Sequence, residues 1–470
     1  MIGREKEIKI LEDAYKDDKS HFIAIYGRRR IGKTYTVRET FHDRFTFTHA
    51  GISDGGLKEQ LLAFKGSLKE AGYIVSSPLH NWIEAFEELK DLIRKSTEKK
   101  KLIFIDELSW MDTPKSGLIT ALENFWNGWA SARKDIVLIV CASATSWMLS
   151  NVVHNKGGLY NRLTDIIHLH SFTLSECENY VETEGIAFNR TQILQYYMIF
   201  GGVPYYWTFL RRGESLAQNV DRTLFAEDAP LKHEFDYLYA SVFKNPAKYI
   251  KIIEALGKKK VGMTREELIK TTGLSNSGDL TTRLDELESC GFIRKYQAFG
   301  MKKKNSVYQL IDFFTLFYYK FIVDEPTDEH FWSNKINTPE VNVWNGLAFE
   351  RVCFRHIDKI KEKLGILGVQ TDINSWYCQE DTDRGLHGSQ IDLLIARRDQ
   401  VINLCEIKYS MSEYVITEKF DRDMRIKIND LVTASGTKYA VYPTLITTYG
   451  VVENSYSGSI QSVVTLNDMF

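Results

Sequence analysis

Short apolar runs alternate with longer amphipathic stretches from residue 21 to about residue 170, a rhythm that predicts a parallel sheet with helices on both faces. The expected strands are 22–26, 45–50, 102–105, 136–142 and 165–169. Between them, residues 81–95 put Trp82, Ile83, Phe86, Leu89 and Ile93 on one helical face. Past Ser171 the strand signal stops and helical periodicity runs to about Leu256. A third pattern starts near Pro246. Thr264 and Glu267 have capping-box spacing, Gly273 ends that helix, and a second helix over 277–290 turns Leu280, Leu284 and Leu287 inward before Gly291. Two alternating strands follow, 292–298 and 306–311, joined by a loop with Lys302, Lys303 and Lys304. Residues 324–340 are polar and read as a linker. A helix over about 346–363 then precedes a strand-rich tail with a charged hairpin at 397–400.

These patterns predict an α/β chain in four parts: a P-loop-type parallel-sheet core over 1–170, a helical lid over 171–245, a winged helix-turn-helix over 246–322, and an α/β domain over 323–470. A length of 470 residues accommodates several hydrophobic cores. With 44% hydrophobic and 26% charged residues and eight prolines, the composition excludes a disordered or collagenous chain. A formal net charge of −2 means that any contact with DNA or RNA comes from a local basic patch and not from the overall field. Six cysteines without a CxxC pair argue against a zinc knuckle and against a secreted disulfide framework. With neither a signal peptide nor an apolar run long enough to span a bilayer, no membrane contact and a cytoplasmic location are expected.

The most specific chemistry lies at Gly27-Arg28-Arg29-Arg30-Ile31-Gly32-Lys33-Thr34, which fits GxxxxGK followed by Ser or Thr, after an apolar strand and before a helix. Glycines let main-chain N–H groups wrap phosphates, the helix start adds its positive dipole end, Lys33 reaches the β- and γ-phosphates of ATP, and the Thr34 hydroxyl serves Mg2+. The run 102–105 then ends in Asp106-Glu107, so Asp106 stands at a strand's carboxyl end to hold the Mg2+ shell. Glu107 is the candidate for orienting or deprotonating the attacking water.

Together with Ile2-Gly3-Arg4-Glu5 ahead of the loop and Gly201-Gly202-Val203-Pro204 in the lid, these residues resemble the archaeal-type AAA+ ATPases, close to the STAND-like signalling NTPases. The resemblance implies that Gly3 and Arg4 border an adenine pocket, that Pro204 packs near the base, and that Ser143 or Thr145 senses the γ-phosphate. It also implies that Arg162 is either an arginine finger, which requires self-association, or an ordinary surface arginine. The three consecutive arginines of the loop are typical of the family, and one of them faces phosphate or a regulatory carboxylate.

In the tail, Glu350 sits on a helix, Asp392 in strand 391–395, and Glu406-Ile407-Lys408 ends strand 401–405. Strand alternation turns Glu406 and Lys408 to one face, and antiparallel pairing across 397–400 brings Asp392 to them. Two carboxylates and a lysine in one place suit a divalent metal and water activation against a phosphodiester. The arrangement resembles the PD-(D/E)xK nucleases, of restriction-endonuclease-like fold, with Asp392, Glu406 and Lys408 at the motif positions and Glu350 as the preceding helix acid. Ile391 stands where that family usually has proline. In the winged helix, Asp285, Glu286 and Glu288 beside Arg283 repel a phosphate backbone, leaving the 302–304 lysines as its basic feature. Two functions fit: an ATP-hydrolysing protein whose nucleotide state regulates a nuclease-like domain acting on DNA or RNA, or a STAND-like signalling or scaffold ATPase whose inactive tail binds a partner.

Overall fold

Continuous apolar runs become strands where both faces of a sheet are covered, and the amino-terminal sheet of the computed structural model follows that rule. Its strands are β1 (His21–Tyr26), β2 (Phe47–Ala50), β3 (Lys101–Asp106), β4 (Ile136–Ala142) and β5 (Asp165–His168), in the order β2-β3-β4-β1-β5. Every neighbouring pair is parallel. All residues of β3 and β4 are buried. One face packs Phe64, Trp82, Phe86, Leu89 and Phe125, and the other Leu11, Val37 and Phe41.

The structure describes residues 1–243, 245–297, 299 and 306–470. They form two compact units: Met1–Ser171 with Val203–Tyr205 and Ser241–Lys244, and Phe172–Gly202 with Tyr206–Ala240 and Asn245–Phe470.

Two local expectations for the first unit are corrected. Ile83 is 53% exposed, because the buried stripe of helix Trp82–Lys95 runs through Trp82, Phe86, Leu89 and Ile93, and Ile83 lies to one side of it. Phe45 is not yet strand; its ring instead meets those of Phe41 and Phe104.

The second unit opens with helices Leu174–Thr183 and Arg190–Phe200, each started by a capping box, Thr173 with Glu176 and Asn189 with Gln192. Helices Ala247–Gly257, Arg265–Thr272 and Gly278–Ser289 follow, with the expected Thr264–Glu267 box, a left-handed Gly273 stop, and Leu280, Leu284 and Leu287 inside. A three-stranded antiparallel sheet accompanies them, β6 (Met263–Thr264), β7 (Ile293–Tyr296) and β8 (Val307–Leu310) in the order β6-β8-β7. The lysine loop at Lys302, Lys303 and Lys304 lies outside the described residues.

The stretch read as a linker contains helix Phe331–Lys335 and the beginning of Pro339–Arg355, which Thr338 caps with Pro339 in its first turn. The single helix expected over 346–363 is two, since the chain turns at His356 before Ile357–Lys363. The tail builds strands β9 (Thr371–Tyr377), β12 (Gln390–Arg397), β13 (Val401–Lys408), β14 (Ala440–Thr447) and β15 (Ser462–Val464), plus a small ladder of β10 (Glu380–Asp381) and β11 (Leu386–His387). The large sheet has the order β15-β14-β13-β12-β9. Its β9, β12 and β13 are antiparallel neighbours, whereas β13, β14 and β15 run parallel. Helix Glu418–Ser435 contributes Met424 and Leu431 to a core with Leu394 and Leu404.

Candidate functional site

β1 ends at Tyr26 and the chain turns at once into the glycine-rich loop. Gly27 has φ 147° and a Cβ there would lie 2.3 Å from the Leu169 carbonyl oxygen, so no other residue fits. Gly32, also left-handed at φ 87°, caps helix Lys33–Phe41 and aims its first main-chain N–H groups into the loop. Ile31 is buried beneath the loop as its apolar anchor. The Lys33 ammonium arches back to donate to the carbonyl oxygens of Gly27 at 3.0 Å and Arg28 at 3.1 Å.

From the neighbouring helix turn, the Thr34 hydroxyl donates to an Asp106 carboxylate oxygen at 2.6 Å. Asp106, at the carboxyl end of β3, also accepts from the Cys141 thiol and from the Glu107 N–H, both at 2.9 Å. The structure thus brings Lys33, Thr34, Asp106 and Glu107 together from two strand ends. The Thr34 and Asp106 oxygens form the donor pair that a hard divalent cation such as Mg2+ prefers. Glu107 adopts a left-handed backbone, φ 47°, which turns its carboxylate toward the end of β4. There it accepts from the Ser143 N–H at 3.1 Å and from the Ser143 hydroxyl. Of the two alternatives after β4, Ser143 is the one that engages Glu107, while Thr145 is fully buried at the start of a short helix.

The flanking candidates separate. The buried Arg4 guanidinium donates to the carbonyl oxygens of Ile31 at 3.1 Å and His170 at 2.9 Å, tying the loop to the end of β5. Arg4 is therefore fastened to main chain and directed at the loop's backbone, with left-handed Gly3 making the turn before it. Arg30 holds its guanidinium 4.3 Å over the Tyr205 ring, and the Tyr205 N–H donates to the Arg30 carbonyl at 3.4 Å. Pro204, just before, starts a short helix. Arg28 and Arg29 are half-buried. Arg162 is exposed in the turn before β5.

The acidic residues of the tail also converge. The β12–β13 register pairs Leu393 with Cys405, so Asp392 lies opposite Glu406 on the same sheet face. Burial pushes the Asp392 carboxyl up to about 7, with further upward pressure from the Glu350 and Glu406 charges. Burial alone would raise Glu406 as well, but the Lys427 and Lys408 ammonium groups outweigh it and hold Glu406 below the usual carboxylate range. Lys408 donates to Glu406 at 2.8 Å and Lys427 at 2.6 Å. Glu350 pairs with Lys260 at 2.5 Å and with Arg351 at 3.6 Å.

Among the described residues, no three acidic, histidine or cysteine side chains are arranged to hold a metal ion. The Asp392–Glu406 pair expected to do so instead has ammonium groups on Glu406. The raised Asp392 is the member of the cluster that burial most disfavours in its charged form. Sequence reasoning missed Lys260, Lys427 and Arg351. No local motif joins any of them to the acids, and the sequence reading took the 302–304 lysines as the basic feature of this region instead.

Residues 1–208 match a family described as an ATPase domain predominantly from Archaea. The matched stretch contains the glycine-rich loop, the Asp106 strand end and the Val203–Tyr205 segment. Over 431 residues the chain is 23% identical to an uncharacterized protein of Methanocaldococcus jannaschii, covering 90% of this chain and 91% of that one. An uncharacterized ATP-binding protein of the same organism is 32% identical over 44 residues, 9% of this chain and 75% of its own length. Among solved structures, a Walker-type ATPase of Pyrococcus abyssi aligns with a TM-score of 0.49 and 16% identity, over 68% of this chain and 96% of that one. Among the described residues, no helix is long and apolar enough to cross a membrane.

Proposed function

We propose that the chain binds and hydrolyses ATP, and that its nucleotide state regulates a carboxyl-terminal nuclease-like domain acting on nucleic acid. The observation that carries the first half is the Thr34 hydroxyl 2.6 Å from Asp106, with the Lys33 ammonium donating to the loop's own Gly27 and Arg28 carbonyl oxygens beside them. A triphosphate offers Lys33 charged acceptors in place of carbonyls, so the ammonium swings from Gly27 and Arg28 onto the β- and γ-phosphates. Thr34 and Asp106 would hold Mg2+, which supplies positive charge to the phosphate oxygens. Glu107 leaves Ser143 and takes the proton of the water that attacks the γ-phosphorus, while the bond to the ADP oxygen breaks. Exposed Arg162 is available to a neighbouring copy as a source of positive charge, which makes hydrolysis dependent on self-association. In this reading Arg4 and Gly3 brace the loop from the base side, and Pro204 with Tyr205 closes over it.

For the second half, the support is a buried Asp392 under pressure from two neighbouring acids, opposite Glu406 and Lys408 on one sheet face. Asp392 and Glu406 are the candidate metal ligands, Lys408 the group that steadies the phosphodiester, and Glu350 the helix acid. Hydrolysis there adds water across a phosphorus–oxygen bond, leaving one phosphate monoester and one hydroxyl. The helix pair and three-stranded sheet of residues 246–322 are assigned as a winged helix. Its acidic second helix favours a role between domains over reading DNA.

One observation favours a second reading, a signalling or scaffold ATPase with an inactive tail: Glu350 and Glu406 already carry lysine partners. The test is cleavage by the full chain with Mg2+ or Mn2+ and ATP, against Asp392→Ala. Cutting of DNA or RNA that disappears in the variant supports the nuclease. Substrates that all stay intact remove that half and leave the signalling ATPase.

A further inference from the structure

The Asp106 carboxylate is held from a side that the glycine-rich loop does not supply. β3 and β4 run parallel in a register that sets Ile105 against Val140. One residue further along each strand, Asp106 and Cys141 therefore stand side by side where β3 ends. Strand alternation makes Cys141 the last of a column that begins with Val137 and Ile139, on the face covered by Val37 and Phe41 of helix Lys33–Phe41. Thr34 lies in the first turn of that same helix.

The two oxygens of Asp106 have different partners. One accepts from the Thr34 hydroxyl at 2.6 Å. The other accepts from the Glu107 N–H and from the Cys141 thiol, both at 2.9 Å. A carboxylate accepts and does not donate, so the thiol keeps its proton and points it at Asp106. The Glu107 N–H is joined to the main chain of Asp106 and moves with it. Cys141 comes from another strand, so its contact fixes the carboxylate against the sheet. A thiol suits this place because β4 is buried throughout, and sulfur sits among apolar neighbours more readily than a hydroxyl while still having one proton to give.

We infer that Cys141 is a positioning residue of the ATP site: its S–H holds one oxygen of Asp106 so that the other stays directed at Thr34, in place for Mg2+. The inference rests on the ATP reading and adds to it a residue outside the loop and the Asp106-Glu107 pair. Cys141 is fully buried and acts through Asp106, not on the nucleotide. Without it the carboxylate is free to turn, and the pairing of the Thr34 and Asp106 oxygens loosens.

The experiment measures the affinity of the full chain for a fluorescent, non-hydrolysable ATP analogue in Mg2+ and in EDTA. The ratio of the two affinities reports the share of the cation, since the loop and Lys33 hold the phosphates in both conditions. Cys141→Val, which fills the space without a donor, and Cys141→Ala, which leaves a gap, should each lower that ratio by about tenfold, the worth of one hydrogen bond to a charged group. Cys141→Ser keeps a donor and should keep the ratio of the unaltered chain. Ile139→Val, a packing change on the same face of β4, should also leave the ratio unchanged. Affinity in EDTA should be alike in all four variants. An unchanged ratio in Cys141→Val, the same loss in Ile139→Val, a loss in Cys141→Ser as large as in Cys141→Val, or no gain from Mg2+ in the unaltered chain overturns the positioning role and leaves ATP binding standing. No binding of the analogue by the unaltered chain in either condition overturns the ATP reading itself, and the role of Cys141 with it.

Discussion

The two acidic sites use lysine in opposite ways. At the glycine-rich loop the Lys33 ammonium donates to two main-chain carbonyl oxygens, and Asp106 is met by hydroxyl, thiol and amide donors. In the tail, Lys260, Lys408 and Lys427 rest directly on carboxylates. A charged ligand easily outbids a carbonyl for an ammonium group, whereas a lysine on a buried carboxylate leaves only when another cation takes its place. A phosphate would offer the first site's lysine a stronger acceptor than those carbonyls. The second holds its acids against lysines, with Asp392 pushed up by burial and by its acidic neighbours.

The sharpest way to break this comparison is Glu107→Gln, which keeps the Ser143 contacts but removes the base. ATP turnover should fall by about 10^2 to 10^4-fold with nucleotide affinity nearly unchanged, measured by phosphate release and by equilibrium binding. Unchanged turnover would take Glu107 out of the chemistry. Lys33→Ala should weaken ATP binding by about 100-fold, the loss of about 3 kcal/mol of charge-assisted hydrogen bonding. If affinity survives, the loop is not the phosphate site.

A buried histidine extends the contrast to groups with neutral partners. His356 accepts from the Leu174 N–H at 3.0 Å through Nε2 and lies 2.9 Å from the Val352 carbonyl through Nδ1, and burial lowers its pKa to about 4. Because the folded value lies below the unfolded one, its contribution is complete above about pH 6.5 and is lost as pH falls toward 4. That loss is about 3 kcal/mol at most. Urea unfolding followed from pH 7 to 4 should register it, and His356→Gln should flatten the profile.

Asp392 has the reverse sign. Its folded value lies above the unfolded one, so its contribution is favourable below about pH 4 and is lost as pH rises through 7. Asp392→Asn should then stabilise the protein at pH 8 by about 1–2 kcal/mol and do little at pH 4. A destabilised variant at pH 8 would mean that the carboxylate is well satisfied, and the comparison with the loop would lose its basis.

Legibility from sequence follows the same division. The loop spans eight consecutive residues whose roles depend on their immediate neighbours, and the Asp106 position follows from a buried strand ending in acids, so spacing alone located them. Asp392, Glu406 and Lys408 were within reach because strand alternation and a single hairpin relate them. Ile83 was misread because a helical face has a width that composition does not define. That Arg4 also ties the loop to the end of β5 by donating to the Ile31 and His170 carbonyl oxygens was not legible, because a sequence does not display which main-chain oxygens a side chain reaches.

The sequence by itself determined the elements, the phosphate loop and the pairing of acids across one hairpin, because each depends on steric and hydrogen-bonding rules acting over a few residues. Only the tertiary structure decided which charges meet. Lys260 reaches Glu350 and Lys427 reaches Glu406 through the packing of separate elements. Electrostatic energy depends on distance in space and on burial, neither of which is written in the order of residues along a chain.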